Sequence, residues 1–377
     1  MTPRERLLAV LTGGIPDCVP VAPDFSNMIP ARLTGKPFWD LYLYSDPPIH
    51  EAYIACAKHF NIDSLMDGYF PLIFPDDAAA GPDWRPYIVQ KTDDRRIVQY
   101  AYRENGRHVW GERVNVYYRD NPPTHDVRPA KLGLPETPAQ FEPVEGVKPV
   151  DTGPSGLSRV KRLMGDQGLV GIGLTASCVF YDEESILDYY QEPEKYERLS
   201  EQRVKDVERR FARIMALDEK PDFFCVGASG SLVFQTPDVF RTIAFPAVKR
   251  AIELASAAGI PTHVHSCGPE SLLVKIFAEE TSLTVIDPLE IPPMGDCNLA
   301  ELKRLYGSKI TLKGNLHTTN VMLRGSVDDV VRASRKAIDD AAEGGRFILS
   351  TGDQCGRDTP DENLRAMVET ARTYGRY

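Results

Sequence analysis

The chain has 377 residues, 42% of them hydrophobic and 26% charged, and 44 basic against 54 acidic residues leave a net charge of −10. That length allows one large core or two smaller ones, and a net-negative surface excludes nucleic acid as the main partner, because neutralising phosphates needs a basic face. No stretch approaches the roughly 20 apolar residues that cross a bilayer. The opening Met-Thr-Pro-Arg-Glu-Arg carries charges of both signs with no apolar run before a cleavage site, so a cytoplasmic enzyme with no membrane partner is expected.

The predicted elements run as follows. Residues 2–13 form a short amphipathic helix, capped by Thr2 with Pro3 in its first turn and Leu7, Leu8, Val10 and Leu11 on one side. Asp17 to Pro23 reads as a first strand with prolines at its edges, followed by Asp24, Phe25 and Asn27. A helix spans 48–60, and a second strand spans 64–70, ending in Asp67, Gly68, Tyr69 and Phe70. Residues 78–153 break the rhythm. Two alternating runs, 98–102 and 108–110, flank Asn105-Gly106, which signals a β-hairpin, and 114–118 adds a further strand. This segment reads as a β-rich insertion in a single domain spanning 1–377, too thinly apolar to build a core of its own.

From residue 155 the pattern is regular. Helices at 155–165, 183–217, 237–258, 270–280, 298–306 and 326–343 alternate with strands at 168–173, 222–227, 261–266, 282–287, 309–314 and 346–351, and a helix at 361–374 follows. Six strands plus the two early ones make eight, each with a helix, which is the count of a (β/α)8 TIM barrel. A doubly wound sheet is the second choice, but neither GxGxxG nor GxxxxGK[ST] stands at a strand–helix junction.

In such a barrel the chemistry sits where the strands end. The residues there are Asp24 and Asn27; Asp67 and Tyr69; Thr175 and Ser177; Ser229 to Ser231; His263, His265 and Cys267; Asp287 and Glu290; Asn315, His317 and Thr318; Asp353 and Cys355. A lone polar residue after a strand is more often a cap or turn former, and this bland reading suits Thr175, Ser231, Thr318 and Asp67. It suits His265, Cys267, Glu290 and Cys355 less well, because these are metal-ligand types from the last four strands.

The seven cysteines, at 18, 56, 178, 225, 267, 297 and 355, are odd in number and widely spaced, which argues against a disulfide framework. Cys56 and Cys225 read as small buried hydrophobes. In His263-Val264-His265-Ser266-Cys267-Gly268 the alternation of a strand points His265 and Cys267 toward one place. An imidazole with a thiolate suits zinc, and Cys355 is the best third ligand. Two thiolates, a neutral imidazole and Zn2+ sum to zero charge, so the site can be buried with one position open. His263, on the same side of the strand, is either a support for the ligands or a general acid/base. Asp24 and Glu290 are the carboxyl candidates for catalysis. Asn27, Tyr69, Ser229, Asn315 and His317 are candidates for binding substrate.

The opening Thr-Pro-Arg-Glu-Arg-Leu-Leu-Ala-Val-Leu with the later Pro-Asp-Cys-Val-Pro-Val, the stretch 246–268, Leu312-Lys313-Gly314-Asn315 and Thr359-Pro360-Asp361-Glu362-Asn363-Leu364 resemble the uroporphyrinogen decarboxylase superfamily. That resemblance implies a (β/α)8 barrel. It does not imply decarboxylation, since residues 23–28 carry an acid and no arginine where the decarboxylase holds carboxylates, and Gly352-Asp353-Gln354-Cys355 replaces its Gly-His. The closer likeness is to the corrinoid-dependent methyltransferase branch, whose zinc site has the form His-x-Cys with a distant Cys, here His265, Cys267 and Cys355.

The branch implies Zn2+ as cofactor, a methylcobamide corrinoid carried by a partner protein, and a small-molecule methyl donor or acceptor; a homodimer is compatible with it. Methyl transfer from an aryl methyl ether to Co(I), an O-demethylation, is the first expectation, because Phe25, Phe38, Trp39, Tyr42, Tyr69, Phe70, Phe74 and Trp84 would suit a flat donor. The alternative is transfer from methyl-Co(III) to a thiol such as coenzyme M. A uroporphyrinogen decarboxylase-like lyase or a non-catalytic binding protein are the remaining alternatives.

Overall fold

The strands fall into two sheets of opposite character. The computed structural model describes all residues except 67, 69, 78–80, 176–179, 181, 182, 228 and 229. The first sheet is antiparallel, with β1 (Arg85–Lys91), β2 (Arg95–Glu104), β3 (Arg107–Tyr118), β4 (Thr124–Val127) and β5 (Glu142–Pro143) in the order β4-β3-β2-β1-β5. Asn105 and Gly106 both take positive φ at the tip of the β2–β3 hairpin, as an Asn-Gly turn requires. Residues 114–118 add no separate strand; they continue β3 past a bulge.

The second sheet is parallel, with β6 (Gly171–Gly173), β7 (Phe223–Cys225), β8 (Thr262–His265), β9 (Val285–Asp287), β10 (Thr311–Leu316) and β11 (Phe347–Thr351) paired in chain order. Helices Pro193–Met215, Phe245–Ala257, Ser271–Glu280, Leu299–Tyr306, Val327–Ala341 and Asp361–Thr373 alternate with or follow these strands. The stretch expected as one helix over 183–217 is two, Glu183–Gln191 and Pro193–Met215, because Pro193 cannot donate to the preceding turn. The helix expected over 237–258 carries a π-turn at Phe240–Ala244.

Among the described residues, the two early segments contribute isolated bridges and no named strand. Val21 makes a single parallel bridge to Leu349, and Phe70 one to Ile172, so the named strands form a six-stranded sheet and not a closed ring of eight. The cause is local. Pro20 and Pro23 have no N–H to give to a ladder. In the second segment Ser64 bonds through its side chain, exchanging hydrogen bonds with the Leu169 backbone. The neighbour relations of a ring are still traceable: Asp63 N–H donates to Val21 O at 2.8 Å, and Phe70 N–H to Gly171 O at 2.8 Å.

Strand alternation sorts the side chains. One face presents Ala22, Leu169, Phe223, Val285 and Ile348 to Leu7, Val10 and Leu11 of helix Pro3–Leu11. The opposite face presents Val21, Phe224, Val264, Ile286, Leu312 and Leu349 to the outer helices. The same face carries His263 level with Val285, Lys313 level with Ile348, and His265 paired with Asp287 one step further on. The expected aromatics mostly serve packing. Phe25 stacks edge-on against Phe60 at 5.4 Å, and Trp39 lies under the Arg96 guanidinium in a cluster with Ile88, Val98 and Tyr117 of the antiparallel sheet. No helix among the described residues is long and apolar enough to cross a membrane.

Candidate metal and active site

β8 carries two histidines on one face, and its parallel register places His265 opposite Asp287. His263 Nε2 lies 2.7 Å from Asp287 Oδ1 and is fully buried. His265 Nδ1 lies 3.3 Å from the same oxygen. Lys313 Nζ pairs with Asp287 Oδ2, and neither side chain has any exposed surface. Burial alone would push Asp287 up, but the Lys313 ammonium and the two imidazoles outweigh it and hold the carboxyl well below its ordinary range.

Above this layer, ligand atoms of Asp24, His265 and Asp353 all lie within 4.8 Å of one another. His265 Nε2 is 3.6 Å from Asp353 Oδ1. Two ligands each about 2.1 Å from a shared ion at a tetrahedral angle stand roughly 3.4 Å apart, so this pair has metal-ligand spacing. Asp24 is held in place by its own backbone: its N–H donates to Thr351 Oγ1 at 3.1 Å, and its carbonyl accepts Cys355 N–H at 2.8 Å. A carboxylate pair with a neutral imidazole balances a divalent cation as two thiolates would. The donors present therefore fit a zinc ion.

The sulfurs of Cys267 and Cys355 are not members of that group among the described residues. Cys267 is half-buried in the turn after β8. Cys355 has no exposed surface; burial pushes its thiol up to about 12, the Asp24 carboxylate adds to this, and the Thr351 and Thr359 hydroxyls oppose it. Gly268, at φ +93°, is a required glycine, since a Cβ there would meet Val233 Cγ2 at 2.3 Å. Its N–H donates to Glu290 Oε2 at 2.6 Å. Burial raises Glu290, with Asp353 adding and His265 and His317 opposing.

Of the expected substrate-binding residues, Asn315 and His317 line a cavity of about 410 Å³ with Ile291, Cys297, Leu299 and Val321. A narrow crevice lined by Glu290, Asn315, His317 and Gly352 lies alongside. Asn315 Nδ2 donates to Leu289 O at 3.1 Å. His317 Nδ1 accepts the N–H groups of Thr319 and Asn320 at 3.2 Å each, so this ring caps its own turn. Asn27 Oδ1 accepts the Tyr42 hydroxyl at 2.5 Å. Tyr69 and Ser229, with Asp67, Ser177 and Cys178, lie outside the described residues.

Sequence reasoning gave Asp287 and Asp353 no role and did not single out Lys313. The signal for Lys313 was available, because a lysine inside an apolar strand must find an acid. Glu270 was missed as well. It is fully buried, its Oε2 accepts Leu289 N–H and its Oε1 has no partner. Burial first, then Asp287, push this carboxyl well above its ordinary range.

Comparison with known proteins follows the same lines. A family model described as Uroporphyrinogen decarboxylase (URO-D) matches residues 182–374. The curated Methylcobamide:CoM methyltransferase MtbA of Methanosarcina mazei is 25% identical over 139 residues, which is 36% of this chain and 37% of that protein. The matched stretch thus spans little more than a third of the relative. A solved structure, a methyltransferase from Methanosarcina mazei, superposes with a TM-score of 0.58 at 16% identity and covers 99% of each chain, a likeness of fold. The family match covers half the chain, including strands β7–β11 and the described ligand residues except Asp24: the chain belongs to the uroporphyrinogen decarboxylase family.

Proposed function

We propose that this protein is a corrinoid-dependent methyltransferase that passes a methyl group from the methyl-Co(III) corrinoid of a partner protein to a small thiol, coenzyme M or a chemical relative. The observation that carries the reading is the Asp24–His265–Asp353 group, two of its members buried and Asp353 half-buried, at the His-x-Cys turn of a chain similar to a methylcobamide:CoM methyltransferase. Thiol transfer is favoured over O-demethylation. The relative's name points that way, and the aromatics that recommended a flat ether are largely spent in packing. A cytoplasmic setting and a (β/α)8 barrel completed by the 19–22 and 63–70 segments belong to the same proposal, as does residues 78–153 being an insertion.

His265 would hold a zinc ion either with Cys267 and Cys355 or with Asp24 and Asp353. When bound, zinc supplies acidity, lowering a coordinated thiol from a pKa of about 8.5 to below neutral. His265 offers the neutral nitrogen. Glu290, raised by burial against the Gly268 N–H, is the carboxyl beside the site, and Asp24 is the one held next to Cys355. His263, sealed from solvent, acts as a support and meets no substrate. Asn315 and His317 would bound the thiol's side of the site.

The test uses purified protein with methylcobalamin and a panel of thiols, following loss of the methyl-Co(III) spectrum, with and without a zinc chelator. Chelator-sensitive demethylation with a thiol is expected. Demethylation of an aryl ether by the Co(I) form, with no thiol activity, would replace this reading by the first alternative. No reaction in either direction, with the cognate corrinoid protein supplied, would overturn both. Zinc content separates the two donor sets: a loss in Cys355→Ala with retention in Asp353→Asn assigns the sulfurs, and the reverse assigns the carboxylates.

A further inference from the structure

The antiparallel sheet keeps an aromatic depression that its own fold does not fill. Near the base of the β2–β3 hairpin both faces are covered. Ile88, Val98 and Tyr117 lie against Trp39 and Leu43, and Ile97, Val114 and Val116 lie against Val127, Leu132 and Leu134. Further toward the tip, a cavity of about 750 Å³ is lined by Tyr87, Ala101, Arg103, His108 and Phe141. Ala101 is fully buried, and the larger side chains around it are not. The rings of Tyr87, His108 and Phe141 stand between 4.9 and 5.5 Å apart, centre to centre, and Phe141 keeps 41% of its surface exposed. Charge singles out the same strands. Residues 85–118 hold seven basic and four acidic residues, a net +3 on a chain of net −10, which leaves −13 on the rest. Arg103 and Arg107 are exposed and have no ion pair among the described residues. The sheet is also tied to the rim of the candidate site. Arg357, two residues beyond Cys355, donates to Asp120 O, and Phe38 N–H donates to Arg119 O at 2.6 Å. Tyr42, in the same short helix as Phe38, donates its hydroxyl to Asn27, three residues beyond Asp24.

We propose that this aromatic depression and its arginines dock the partner protein that carries the corrinoid, through an acidic face of that partner. Aromatic rings and arginines around a concave point have the composition of an interface core rather than of ordinary surface. An acidic face is repelled by the −13 body and attracted by these strands, so the strands set the direction of approach. The ties through Arg357 and Phe38 keep whatever docks here beside the segments that carry Cys355 and Asp24. That continuity favours the carrier over a second copy of this chain: the carrier has to face the mouth of the site, and a second copy does not.

The proposal rests on the methyltransferase reading, and the experiment lets each fail alone. Phe141→Ala and Arg103→Glu change exposed side chains and are expected to fold. Both are assayed with a thiol and two donors, free methylcobalamin and purified corrinoid carrier proteins in the methyl-Co(III) form. With the carrier, each variant is expected to raise KM about 10-fold or more at unchanged kcat. With free methylcobalamin, both are expected to match the wild type. Added salt is expected to raise the wild-type KM for the carrier, and to raise that of Arg103→Glu less steeply. A wild-type KM for the carrier in both variants overturns the proposal, and so does an equal loss with free methylcobalamin. A wild-type dimer that Phe141→Ala converts to a monomer, read by sedimentation, assigns the surface to a second copy and overturns it as well. Absence of thiol activity with either donor sinks the methyltransferase reading. Carrier binding read by interferometry then decides the docking surface by itself: weaker binding by both variants supports it, and equal binding or none by the wild type overturns it.

Discussion

The two ends of the parallel strands both bury acids, and they treat them differently. At the end covered by helix Pro3–Leu11, Asp63 is wrapped by Arg6, by Arg372 Nη2 at 2.9 Å and by the Val21 N–H at 2.6 Å. Asp222 there takes Arg4 at 2.6 Å, Lys161 at 3.0 Å and the Val170 N–H at 2.8 Å. At the other end Asp24, Asp353, Glu290 and Glu270 crowd around His265, and among the described residues Lys313 pairs there with Asp287. Among the described residues, arginine and lysine pair with the acids of the first end, while imidazoles and one lysine stand beside those of the second. Carboxylates gathered with an imidazole at the end where barrels do their chemistry have the composition of a cation-binding site.

Substitutions at the two ends should therefore separate function from stability. His265→Ala should bring zinc content and zinc-dependent methyl transfer to background while the urea midpoint stays near the wild-type value, since the residue removed belongs to the ligand group and not to the arginine-paired end. An equally large loss of stability would break the contrast. Asp63→Asn should do the reverse, costing about 3–5 kcal/mol because Arg6 and Arg372 both lose the buried carboxylate between them, Arg6 keeping only Asp17. Activity per folded molecule should be unchanged, as read by urea denaturation and an assay below the transition.

The pH dependence sharpens the same contrast with opposite signs. Burial pushes Asp222 up, but Arg4, the Val170 N–H and Lys161 outweigh it, and the carboxyl ends below its ordinary range. Its contribution to stability is present above the pKa of the unfolded carboxyl and is lost as pH falls toward the folded value. Asp222→Asn should flatten the acid limb of a plot of Tm against pH. Glu270 is raised, so the folded state keeps a proton that the unfolded chain gives up, and stability falls as pH rises above the ordinary carboxyl range. Glu270→Gln should remove that fall and raise Tm at neutral pH. Glu270→Gln acting on the acid limb instead would show that its carboxyl is ionised in the fold. The Glu270 effect is the smaller one to detect, because the substitution relieves a penalty and breaks no ion pair.

Much of this is legible in the amino-acid sequence. The helix–strand alternation from 155 onward, the Asn105-Gly106 turn and the burial of Cys56 and Cys225 all follow from local periodicity and residue type. What periodicity could not supply was pairing across distance. The 17–23 and 64–70 segments have strand-like composition, yet Pro20 and the side-chain bonding of Ser64 reduce them to bridges. Helices Met28–Leu33 and Phe38–Tyr42 are too short for a helical stripe to register. Asp353 and Lys313 acquire meaning only from neighbours 88 and 26 residues away in the chain, His265 and Asp287.

The bridge between Val21 and Leu349 has a dynamic consequence. Residues 20–24 are attached to 349–355 by five hydrogen bonds: Leu349 N–H to Pro20 O, Ala22 N–H to Leu349 O, Ser350 Oγ–H to Ala22 O, Asp24 N–H to Thr351 Oγ1 and Cys355 N–H to Asp24 O. A joint this narrow opens locally at lower cost than the continuous β10–β11 ladder. Asp24 travels with it. Any ion that gathers Asp24 to His265 and Asp353 also holds the joint closed, by mass action on the closed form alone. Amide exchange at Ala22 and Cys355 should slow on titration with zinc, while exchange along β10 stays as it was, which makes this seam a reporter of occupancy in its own right.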